Sequence, residues 1–204
     1  MQSITVGRGV VVTIERLREE VRDVVGWLDL KMRTGKYSFG LVLELAQHGL
    51  TRSYSVHAIY DEIGILEASD SRPSATKPAT PFLRPPLTGL WHKHHFQPRF
   101  LPKNLCLELS RPGAMEEIFA PLNGQYVSDV ADRLAFETVI GSYSKRATQG
   151  RLTGEFIVYE QRPDGSNYYL TLGGHGEYDA IRERVDAYRE YDEEIKRDNQ
   201  DGKS

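Results

Sequence analysis

The chain is almost without cysteine. Cys106 is the single one among 204 residues, so no disulfide can close within the chain and a Cys-rich zinc site is excluded. Its setting, Leu105-Cys106-Leu107, predicts a buried structural thiol. Long apolar runs are missing as well. None approaches the roughly 18 residues that suggest a membrane span, and the N-terminus lacks the charged-then-apolar pattern of a signal peptide. The expectation is a cytoplasmic protein with no membrane partner. An excess of positive charge is also absent. The net charge of -3 argues against nonspecific nucleic-acid binding over the whole surface. No repeat of fixed period is present.

The hydrophobic content, 39%, is that of a folded protein rather than a disordered one. Charge is unevenly spread. Arg84 to Lys103 holds Arg84, Lys93, Arg99, Lys103 and three histidines, with no Asp or Glu. The run from Tyr191 to Asp198 is mostly acidic. An uneven surface explains both, and a local basic site explains the first equally.

Residues 13 to 32 carry Ile14, Leu17, Val21, Val24, Val25 and Leu28 at helical spacing, with Thr13 as cap and Gly35 as stop. Residues 37 to 66 fit either an alternating strand from Tyr37 or a long helix interrupted near Gly49; the lack of a hairpin turn favours helix. Residues 67 to 90 contain Pro73, Pro78, Pro81, Pro85 and Pro86 and predict a loop or arm without regular structure. Pro98 and Pro102 keep any helix around His92 to His95 short. Helices are expected at Leu105 to Leu109, Met115 to Phe119 and Gln125 to Ile140, then a basic loop with Lys145, Arg146 and Arg151.

Gly154 to Glu160 and Asn167 to Leu172 are rich in β-formers and flank Arg162-Pro163-Asp164-Gly165-Ser166, so they predict an antiparallel hairpin. A long helix follows from about Glu177 to Arg197. The expected fold class is therefore α+β: a helical N-terminal half, then a C-terminal antiparallel β-hairpin or small sheet followed by a long helix. Residues 1–204 read as one domain, with 67–90 as its Pro-rich arm and 198–204 as a flexible tail.

Chemistry has three candidate places. Trp91-His92-Lys93-His94-His95-Phe96 concentrates the one side chain that titrates near neutral pH. On a strand His92 and His94 share a face; on a helix His92 and His95 do. Zinc needs three or four ligands, and no second His-rich segment sits at a suitable distance, so no metal ligand is assigned. A polar surface loop anchored by Trp91 and Phe96 is the plain alternative. Gly173-Gly174-His175-Gly176 is the second place, where glycines allow close approach and the next helix offers free N–H groups. A capping glycine turn is its plain alternative. The third is Glu155, which acts as a base if its face is partly buried. Tyr168 and Tyr169 point to opposite faces; one belongs in the core, and the other, assigned here to Tyr169, is placed to stack on a base.

The segment Thr153-Gly154-Glu155-Phe156-Ile157-Val158-Tyr159, with Asn167-Tyr168-Tyr169-Leu170-Thr171-Leu172 and His175, resembles the sheet of small ribonuclease toxins of the barnase–EndoU–colicin–RelE type. The resemblance implies catalytic side chains on an antiparallel sheet packed against N-terminal helices. Gly89-Leu90-Trp91-His92-Lys93-His94 is also similar to a segment of short uncharacterised bacterial proteins, which implies no activity. The resulting expectation is a metal-independent, toxin-like endoribonuclease without cofactors. His92, His94, His95, His175 and Glu155 supply its acid–base chemistry, while Lys93, Arg151, Arg162 and Tyr169 bind RNA. A noncatalytic protein-interaction module is the alternative and a His-ligated zinc hydrolase the second; RNA and a protein partner or inhibitor are the partners considered.

Overall fold

The computed structural model describes residues 2–7, 9–122 and 127–201. The predicted hairpin is its centre. Strand β6 (Glu155–Gln161) and strand β7 (Asn167–Gly173) pair antiparallel, with a bulge between Val158 and Tyr159. Gly165 takes φ 83° in the connecting turn, where an L side chain would be strained. The Arg162 N–H donates to Ser166 O across the same turn.

The sheet extends on both sides of this hairpin. Strand β5 (Trp91–His95) pairs antiparallel with β6, and β4 (Thr80–Pro81) pairs antiparallel with β5. Strand β3 (Lys36–Tyr37) lies parallel to β7 at the opposite edge. The order is β3-β7-β6-β5-β4. A separate two-stranded ribbon, β1 (Ser3–Val6) with β2 (Val10–Thr13), precedes the first helix.

This arrangement overturns the expected division into a helical first half and a β-rich second half. Three strands of the five-stranded sheet lie before residue 100. Four helices then separate β5 from β6: α4 (Leu101–Leu109), α5 (Ala114–Phe119), α6 (Val127–Phe136) and α7 (Ser142–Thr148). The fold is mixed α+β with helices toward both ends. The physical reason lies in β5. Trp-His-Lys-His-His has no apolar alternation to announce a strand, yet its backbone groups are satisfied by β6, and Lys93, His94 and His95 are buried. The short helix considered for His92 to His95 does not form.

Three helices cover one face of the sheet: α1 (Ile14–Lys31), α2 (Phe39–Thr51) and α3 (Val56–Leu66). Thr13 caps α1 by accepting from the Arg16 N–H, as its sequence position predicts; the C-cap is Met32, short of Gly35. The helical reading of residues 37 to 66 holds for α2 and α3, which break at Arg52 in the left-handed region (φ 50°). Leu28, Leu41, Leu45, Ile59 and Ile63 pack against Ile157, Tyr159 and Tyr169.

The other face is covered by α8 (Tyr178–Asp201) and by the Pro-rich segment. Leu87, Leu90, Phe156, Val158, Leu170, Ile181 and Val185 form that core, with Phe82 packed against it. The segment 67–90 is thus largely docked on the sheet through its apolar residues rather than a free arm, and it contributes β4. Lys145 and Arg146 lie in α7, not in a loop. Cys106 is exposed, because α4 turns it away from the core. The helical reading at Gln125 and Tyr126, and the tail reading at 202–204, fall outside the described residues.

Candidate acid–base site

Strand alternation divides the histidine cluster between the two faces of the sheet. His92 and His94 lie opposite Val158 and Phe156, on the α8 face. Lys93 and His95 lie opposite Ile157 and Glu155, on the α1–α3 face.

On the α8 face a third histidine joins the first two. His175 follows the end of β7 on its glycine turn, where Gly176 takes φ 88°. The His94 and His175 ring centroids are 5.7 Å apart, and those of His92 and His94 are 5.6 Å apart. All three surround the Phe156 ring, at 4.7 Å (His92), 5.0 Å (His94) and 4.6 Å (His175). His94 is buried and His175 exposed, so the pair runs from the core to solvent.

Gly154 anchors this geometry. A Cβ on it would lie 1.9 Å from His95 O, so only glycine allows the backbone so close to β5. His94 Nδ1 lies 3.1 Å from Gly154 O and 3.4 Å from Gly154 N, so the Gly154 backbone holds the ring through both of its polar groups. Asn104, fully buried, fixes the preceding residue from both sides. Its Oδ1 accepts from the Thr153 N–H at 2.9 Å, and its Nδ2 donates to Thr153 O at 2.9 Å.

The imidazoles are neutral at neutral pH. Burial pushes His94 down to about 4. His92 falls to about 4 through burial and the neighbouring His175. His175 is lowered by burial and then by the positive charges of Lys103 and Lys77. Those two lysines mark the cations closest in effect to the histidines. His92 Nδ1 is buried and has no hydrogen-bond partner among the described residues. No group of three or more His, Cys, Asp or Glu side chains there is arranged to hold a metal.

On the α1–α3 face, His95 is fully buried and sits beside Gln97. Gln97 Oε1 accepts from the Ser55 N–H, so its Nε2 is the amino group; it donates to Ser55 O and to His95 Nδ1 at 3.0 Å. His95 therefore carries its proton on Nε2. Burial lowers it to about 3. Glu155 is paired with Arg99, whose guanidinium also donates to Tyr54 OH at 2.6 Å and lies 4.5 Å over the Tyr54 ring. His48 stacks on the other side of this assembly, 3.9 Å from the Tyr54 centroid. Glu155 and His95 thus belong to a different cluster from His92, His94 and His175.

The expected RNA-binding residues are dispersed. Lys93 is buried, ion-paired with Glu62 at 3.1 Å, and donates to Ser74 Oγ, Thr76 Oγ1 and Lys77 O. It pins the Pro-rich segment to β5. Arg151 is 3.6 Å from the buried Glu108, in a group with Arg111, Lys145 and Arg146. Arg162 sits in the β6–β7 turn, 4.3 Å over the Tyr168 ring, at the end of the hairpin away from His175. Tyr169 is fully buried, donates to Glu67 Oε1 at 2.8 Å and packs on Tyr159, so it is the core tyrosine and Tyr168 the half-buried one. The bulge in β7, which leaves Leu170 without a partner in the register, and the α1–α3 packing decide which tyrosine goes inside.

Sequence reasoning missed Phe156 as the hub, Asn104 as the residue that fixes Thr153, and the electrostatic influence of Lys77 and Lys103 on the histidines. Only Lys103 gave any signal, as part of the acid-free run from Arg84. No known protein family matches the chain, and no curated protein or solved structure is similar to it.

Proposed function

We propose that the chain is a metal-independent endoribonuclease in which His94 and His175 carry the acid–base chemistry. The observation that carries this reading is their 5.7 Å approach on one face of the sheet, with His94 held through Nδ1 by the Gly154 backbone. The antiparallel strands β5, β6 and β7, backed by α1–α3, offer a rigid platform for such a pair and support this reading.

In this reading His94 takes the proton from the 2′-hydroxyl of RNA. The 2′-oxygen attacks the adjacent phosphorus and the bond to the 5′-oxygen breaks. His175 gives its proton to that leaving oxygen, so a 2′,3′-cyclic phosphate and a 5′-hydroxyl result. Lys77 and Lys103 stabilise the charge on the phosphorane. A bound phosphate raises the affinity of His175 for its proton, as an opposite charge does.

End-labelled RNA, incubated with and without EDTA, tests the proposal. Cleavage insensitive to EDTA and blocked by a 2′-deoxy substitution at the scissile nucleotide is expected. Cleavage that EDTA abolishes, or an all-DNA strand cut as fast as RNA, overturns it.

A further inference from the structure

Beside the three histidines, the Pro-rich segment and the first turn of α8 enclose a cavity of about 310 Å³. Phe82, Leu83, Arg84, Pro85, Pro86 and Tyr178 are among its lining residues. This size lies within the roughly 300–1,000 Å³ of small-molecule sites.

Its chemistry is specific. Phe82 and Tyr178 approach edge to face at 6.1 Å, so two aromatic surfaces border one space. Prolines stiffen the wall, since their φ is locked. Arg84 is exposed at the rim and makes no ion pair among the described residues. Phe82, on the cavity wall, also touches the histidine group. The Phe82 ring lies 4.5 Å from His92, and Tyr178 stands three positions after His175, at the start of α8. A ligand with a flat aromatic part and an attached anion therefore matches both parts at once: the ring against the Phe82 and Tyr178 wall, the anion toward Arg84 and the histidines.

We infer that this cavity is the subsite for an unpaired nucleobase next to the cleaved phosphate. Stacking on an aromatic side chain accepts any base, because every base presents a π-face. The inference rests on the ribonuclease reading for the role of the site, though not for its occupancy.

Binding of a fluorescent 2′-O-methyl RNA oligonucleotide, which the proposed chemistry cannot cut, tests it. Anisotropy is read at low salt for the wild type, Tyr178→Ala, Tyr178→Phe and His94→Ala, each checked for folding by circular dichroism. A matching strand with its central bases removed serves as the control ligand. Tyr178→Ala should raise Kd by roughly 5- to 150-fold, the range of one lost base stack. Tyr178→Phe keeps the ring and should stay near wild type, while His94→Ala, which removes one of the histidines the anion faces, should weaken the intact and the abasic strand by the same factor. The abasic strand should bind wild type and Tyr178→Ala equally weakly. Equal binding of the intact strand by wild type and Tyr178→Ala overturns the subsite, as does equal binding of intact and abasic strands or no binding at all. If the oligonucleotide binds through Tyr178 but RNA is never cut, the subsite stands and the catalytic reading falls. If RNA is cut with unchanged kcat/KM by Tyr178→Ala, the catalytic reading stands and the subsite falls.

Discussion

His94, in the middle of the sheet, and His175, on a glycine turn beyond a different strand, face each other with ring centroids 5.7 Å apart. One is buried and held by Gly154 O; the other is exposed. His94→Ala and His175→Ala should each lower kcat/KM for RNA cleavage by about 10²–10⁴-fold, the usual contribution of a general acid or base. His175→Ala should leave the thermal midpoint nearly unchanged. Glu155→Gln, on the other face with Arg99, should stay within about tenfold of wild type. A larger loss in that variant would move the chemistry to the Arg99–Tyr54 side.

The rate should peak on the acidic side of neutrality. His94 must be unprotonated to act as base, which holds above about 4. His175 must be protonated to act as acid, and in the free protein it is lowered from 6.5 by burial and by Lys103 and Lys77. The kcat/KM profile should therefore be a bell between these limits and fall on approaching neutral pH. Lys77→Ala with Lys103→Ala should shift the alkaline limb upward. A flat profile from pH 5 to 8 would contradict the assignment.

Stability should fall in acid through the buried histidines. In the folded state His95 titrates at about 3, against 6.5 for an ordinary histidine, because burial penalises its charge. Between those values the unfolded chain binds the extra proton, so falling pH favours unfolding. His92 and His94, both near 4, act in the same direction. Stability is complete above about 6.5 and is lost progressively as pH drops toward 4. Urea melts over this range should show the slope, and His95→Gln should flatten it.

Lys93 should prove a stability residue. Burial lowers its ammonium while Glu62 raises it, and the pair is enclosed with Ser74 and Thr76. Lys93→Met leaves the Glu62 carboxylate uncompensated and should cost about 3–5 kcal/mol in denaturant unfolding. Adding Glu62→Gln should recover part of that loss. RNA affinity of the folded Lys93→Met protein should be unchanged, since Lys93 faces the core.

Elements specified by their own neighbours were legible in the sequence. Helix α1 announced itself by apolar spacing and by Thr13. The β6–β7 hairpin announced itself by two β-rich runs around a Pro-Asp-Gly turn. The presence of α8 followed from Ile181 and Val185 at helical spacing. The crowding of the histidines was visible because three imidazoles fall within four residues, His92 to His95.

Their arrangement was not visible, because it depends on a distant partner. Trp91 to His95 becomes a strand only by pairing with β6, more than fifty residues later. That pairing sends His94 to one face and His95 to the other, since successive side chains of a strand alternate. The same nonlocal packing buried Tyr169, turned Lys93 toward Glu62 and brought His175 to His94. The sequence by itself determined helix α1, the β6–β7 hairpin and helix α8, and where imidazoles crowd along the chain. Only the tertiary structure decided which histidines meet, because strand pairing sets side-chain direction and no local pattern encodes the partner.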